Sequence, residues 1–146
     1  MNWLFLGIAA ASGILMAVQG TINGMVGKIT GVLEGNFLVH VIGLAVVALL
    51  LFVLGLGQGS LTKIPNIPWY GYLGGVINVG IIYGVMAAIP KIGATNATTA
   101  IIVGQVAMAM IIDWFGFFGM EKVPITWWKI LGLVLLAAGG KLMLCK

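Results

Sequence analysis

A chain of 146 residues with 62 % hydrophobic and 7 % charged side chains cannot cover a water-soluble surface, because soluble domains carry roughly 25 % charge. The net charge of +4 arises from seven lysines set against three acids, with no arginine. Those lysines stand singly at segment ends, which argues against nucleic acid as a partner and fits anchors at the lipid headgroups.

A membrane-crossing helix needs about 20 mostly apolar residues, and the chain holds five such runs. The spans are expected at about 3–25, 36–56, 69–89, 93–113 and 125–144. The chain therefore reads as an all-α integral membrane protein, a single transmembrane domain over 1–146 with no room for a soluble one. No internal repeat or low-complexity tail interrupts it.

The first span carries the most informative pattern. Ser12, Gln19 and Asn23 are spaced seven and then four apart, so a helix puts them on one face. Gly13, Ala17, Gly20 and Gly24 form a second, narrow stripe beside it. Small side chains admit a neighbouring helix, and amides supply hydrogen bonds where water is absent. The start of this span could be a signal peptide, given Ala9-Ala10-Ala11. It lacks a basic n-region and stays apolar past any cleavage point, so a retained helix is expected.

A Gly-rich loop is expected over 27–35, before a second span of Leu, Val, Ala and Gly. His40 is that span's only titratable group and no partner for it is visible in the sequence. The connection over 57–68 holds Lys63, Pro65 and Pro68, which should exclude a helix. Span three is expected to stop at Pro90. Its Gly71, Gly74, Gly75 and Asn78 give another small-residue face bearing an amide. Span four opens on a small, polar stretch containing Thr95, Asn96 and Thr98, and Gln105 lies near its middle. Span five contains Gly139-Gly140 and Lys141, which is placed to snorkel. Cys145 is the only cysteine, so neither an intrachain disulfide nor a thiolate metal site can form.

The charges do not say which way up the chain inserts. With the N-terminal side called A, five crossings leave Lys63, Lys122 and Lys129 on side A and Lys28, Lys91, Lys141 and Lys146 on side B. Adding the α-amino group equalises the two sides, although cytoplasmic loops normally carry a clear lysine excess. One reading is a weakly biased protein that still inserts one way. The other is dual topology, in which inverted copies pair. Trp3, Trp69, Trp114, Trp127 and Trp128 all fall at side A, and an inverted partner would supply the missing second belt. Two inverted copies would make ten helices about an axis in the membrane plane, the symmetry by which transporters alternate access to one site.

Gln19-Gly20-x-x-Asn23, Gly74-Gly75, Gly93-Ala94, Gly104-Gln105 and Ile112-Asp113-x-x-Gly116, in this order and spacing, resemble the YdcZ-like family. Its members are five-helix proteins of the drug/metabolite transporter superfamily. The resemblance extends to Gly132 and Gly139-Gly140 and so covers essentially the whole chain. It implies an inner-membrane transporter assembled as an antiparallel homodimer or with an oppositely oriented homologue. The small four-helix exporters of that superfamily use a membrane-embedded Glu in their first helix, and span one here contains no carboxylate.

Gln19, Asn23, Asn78, Thr98 and Gln105 are the candidates for binding substrate. Amides at membrane depth suit a small polar or amphipathic metabolite or a cationic drug. Each could instead serve only to hold helices together. Gly13, Ala17, Gly20, Gly24, Gly71 and Gly75 are the candidates for helix packing. Asp113 is the coupling candidate, set against a helix-end carboxylate facing Lys122 or Lys129. Thr95 and Asn96 could hold an anion at a helix N-terminus or simply cap it. Met86, Met108 and Met110 could line a pocket or fill the core. No catalytic constellation, cofactor motif or metal-ligand spacing is present, so an enzyme is not expected. The alternative to a transporter is a structural or accessory membrane protein without flux of its own.

Overall fold

The computed structural model describes residues 2–144 and is helical throughout its regular elements. Helix α1 spans Trp3–Thr30, α2 Val32–Ala48, α3 Leu73–Ile92, α4 Ala94–Phe115 and α5 Trp127–Leu144. A π-turn, Leu49–Val53, prolongs α2, and short 3-10 turns at Leu61–Asn66, Trp69–Tyr72 and Phe117–Gly119 shape the connections. Five segments are long and apolar enough to cross a membrane: Trp3–Thr30, Val32–Val53, Trp69–Ile92, Ala94–Phe115 and Trp127–Leu144. The chain forms two compact units, Met1–Lys91 and Ile92–Lys146. Cys145 and Lys146 lie outside the described residues.

The helix ends follow from backbone chemistry. Asn2 caps α1 by accepting a hydrogen bond from the Leu4 amide at 3.2 Å. The loop expected over 27–35 is absent, since α1 continues to Thr30 and α2 begins at Val32. Unpaired backbone is costly in lipid, so these glycines stay helical. Only Gly31, at φ 99°, leaves the helical region and turns the chain. Helix α1 is thus about 42 Å long, more than the hydrocarbon thickness, so it tilts or enters the headgroups.

Pro90 does not end α3 as expected. The helix runs two residues further, and Gly93 at φ 86° ends it. A proline so near a helix end forfeits one hydrogen bond and little else. The shifted boundaries leave Lys28, Lys91 and Lys141 in the last turns of α1, α3 and α5.

In the first unit α1 packs against α2, with α3 laid across glycines. A Cβ added at Gly20 would lie 3.0 Å from both Val85 Cγ1 and Ile89 Cδ1. One added at Gly24 would lie 3.2 Å from Ile89 Cγ2 and 3.3 Å from Pro90 Cδ. Gly27 and Gly35 close round Met86, which is 1 % exposed. In the second unit α4 packs on α5, where Gly140 admits Thr99 and Val103. At most 17 % of any span's most apolar stretch is buried within the chain. The remaining apolar surface belongs to lipid or to another protein.

Candidate functional site

Two polar features lie within the spans of the first unit. The first is an open groove along α1, lined by Ser12, Leu15, Met16, Val18, Gln19, Ile22 and Asn23. The seven-plus-four spacing brings Ser12, Gln19 and Asn23 to this one surface. Gln19 is exposed, and Asn23 is buried at 5 % yet still reaches the groove. The Ser12 hydroxyl donates to the Ile8 carbonyl at 2.9 Å, so its proton is committed to its own helix. The Gln19 carboxamide offers its donors and acceptor to the groove from an exposed position, beside the carboxamide of Asn23.

The second feature joins α2 to α3. Asn36 is 1 % exposed and donates from Nδ2 to the Val79 carbonyl at 2.8 Å. Its Oδ1 is buried without a hydrogen-bond donor. One turn on, His40 Nδ1 lies 2.9 Å from the Asn36 carbonyl. A carbonyl only accepts, so Nδ1 carries the proton and Nε2 accepts from Asn78 Nδ2 at 3.1 Å. His40 is thus not alone, and its partners come from its own backbone and from α3. Asn78 belongs to this cluster and not to the lining of the α1 groove. Asn36 was missed by sequence reasoning because it stands near the expected start of a span. The available signal was its four-residue spacing to His40, which puts both on one helical face.

The other candidates are spread more widely. On α4, Thr98 is half-buried and Gln105 exposed. Gln105 lies about 200° round the helix from Val103, which faces α5. Thr99 meets α5, donating weakly to Met143 Sδ at 3.9 Å. Asp113 is half-buried two residues before the end of α4. Its backbone carbonyl accepts from Val123 N at 2.9 Å, and its carboxylate has no partner among the described residues. Gly13 and Gly75 have open space around them, and the nearest group to Gly71 is Ile67 of its own turn. Ala17 is half-buried.

Five apolar spans, four of them bearing amides, with no cluster of acids among the described residues, define a polytopic helical membrane protein. Residues 4–142 match the family DMT_YdcZ, described as "Putative inner membrane exporter, YdcZ", and the chain belongs to that family. Membership makes it a multi-pass inner-membrane protein and, at that level of description, a transporter. Comparison with curated proteins and with solved structures gives no match.

Proposed function

We propose that this protein moves a small polar or amphipathic metabolite, or a cationic drug, by alternating access across a dimer of oppositely inserted copies. The observation that carries the reading is the α1 groove. It exposes the Gln19 carboxamide in the middle of a membrane-crossing helix. A lipid tail offers such an amide no hydrogen bond, so the face calls for a polar cavity or a second protein. A second, inverted copy laid over α1 supplies both. Gln19 and Asn23 then hold the substrate's polar atoms, and Asn78 in the first unit and Thr98 and Gln105 in the second are candidate substrate contacts, each within its own unit. The nearly balanced lysines favour the same arrangement, since no charge excess selects one orientation.

Reporters fused to the C-terminus test the dimer, and flux into liposomes tests the transport. Reporters should read out on both sides of the membrane, or on one side only when an oppositely inserted homologue is present. Gln19→Leu should remove flux and leave the dimer intact. Loss of the dimer without any wild-type flux would instead favour an accessory protein whose amides only join helices.

A further inference from the structure

We propose that Asn36, His40 and Asn78 form the proton-binding site that couples this transporter to the proton gradient. The proposal rests on the transport reading above and names its coupling ion. Among the chain's His, Asp, Glu and Lys side chains, His40 alone stands more than two turns from both ends of its membrane-crossing segment. Lys28, Glu34, Lys91, Asp113, Lys129 and Lys141 all sit within three residues of a helix end. An ionisable side chain deep in a span is where ion relays are built, and imidazole is the side chain suited to taking up and releasing protons near neutrality.

The geometry around the ring is made for two protonation states. In the neutral state Nδ1 donates to the Asn36 carbonyl and Nε2 accepts from the Asn78 amide. A proton arriving from water bonds to the Nε2 lone pair and makes that nitrogen a donor. Rotating the Asn78 carboxamide by half a turn then offers Oδ1 in place of Nδ2, so the bond between α2 and α3 re-forms with reversed polarity. Release returns the proton to water and restores the first arrangement. A carboxamide serves both states because it carries a donor and an acceptor, whereas an ionised carboxylate could not donate to the neutral ring.

Burial grades across the cluster. Asn78 is exposed, His40 half-buried and Asn36 almost wholly buried. At the dry end, one turn from the ring, Asn36 Oδ1 is an acceptor without a donor. The titratable groups on the surrounding helices are Lys28 on α1, Glu34 on α2, and Tyr83 and Lys91 on α3, with Lys63, Tyr70 and Tyr72 in the segment before α3. None of these bonds to the ring, whose polar partners are the Asn36 carbonyl and Asn78.

His40 is the only histidine, so isotope-labelled histidine gives one ring to observe by NMR in lipid bilayers. At pH 8 the proton should reside on Nδ1, and at pH 5 both nitrogens should be protonated. Asn78→Leu, at an exposed position, should lower the protonated fraction at pH 5 by at least about threefold, because charge-assisted hydrogen bonds are the stronger ones. A ring still neutral at pH 5, or a titration unaltered by Asn78→Leu, overturns the proposal. In proteoliposomes, with tetraphenylphosphonium and glutamine as probes, the ratio of flux with and without a pH gradient should exceed one severalfold. His40→Gln should bring that ratio close to one. If this variant moves no probe, the ratio is read on Asn78→Leu and should fall with its protonated fraction. An unchanged ratio overturns the coupling role. A wild-type protein that titrates but moves neither probe overturns the transport reading and the coupling with it, leaving proton binding established by the NMR result.

Discussion

Replacing Gly35 by alanine tests how closely α2 approaches its neighbours. Elsewhere this change favours a helix by roughly 0.5–1 kcal/mol. Here the new Cβ would lie 2.6 Å from Met86 Cε and 3.1 Å from both Thr30 Oγ1 and Val26 Cγ1. A methionine tip usually swings aside, but Met86 is 1 % exposed and has nowhere to go. Overpacking should therefore win, at about 1–3 kcal/mol of lost stability. Met86→Ala should cost about 2 kcal/mol, the low end for such truncations, because lipid removes much of the transfer contribution and leaves the packing loss. In the double variant the added methyl enters the space that Met86 vacated, so the two losses should not add. The coupling should exceed ~0.5 kcal/mol in the relieving direction. Unfolding in mixed micelles, followed by far-UV circular dichroism over an SDS titration, measures all four corners of the cycle. Additivity of the two losses would mean that Met86 and Gly35 are not in close contact, and the glycine-lined seat for α3 would fall with it.

Three further outcomes follow from other parts of the chain. Gln19→Leu should lower flux at least tenfold, about 1.4 kcal/mol or more of substrate stabilisation, while cross-linking still captures the dimer; unchanged flux removes Gln19 from the substrate path. Gln58→Lys with Asn66→Lys adds two lysines to side A and should confine C-terminal reporters to the non-cytoplasmic side. Flux should then vanish until a copy carrying Lys63→Gln and Lys129→Gln is added, and full flux from the first variant alone would refute the inverted dimer. Asn36→Leu should stay within about 1 kcal/mol of wild-type stability, because the lost hydrogen bond to Val79 is offset by removal of an orphaned acceptor. A larger loss in the SDS titration would show that Oδ1 has a partner.

The number of spans was legible in the residues because lipid demands long, continuous apolar helices, and composition alone reports that demand. The shared face of Ser12, Gln19 and Asn23 was legible for a similar reason, since helical periodicity depends only on spacing. The ends of α1 and α3 were not. Glycine and proline signal breaks in water, whereas in a membrane Gly27 stays helical against Met86 and Pro90 is carried within the last turn. Which of the small residues receive a neighbour was equally hidden: Gly20 and Gly24 lie under α3, while Gly13, on the same stripe, has open space. The pairing of His40 with Asn78 joins positions 38 apart in the chain. No local pattern encodes such a contact, because it depends on where α3 crosses α2. The sequence by itself determined the solvent this chain folds in and the face each amide occupies, both consequences of local periodicity and apolar content. Only the tertiary structure decided which amides meet, because hydrogen bonds between helices depend on how the backbones approach in space.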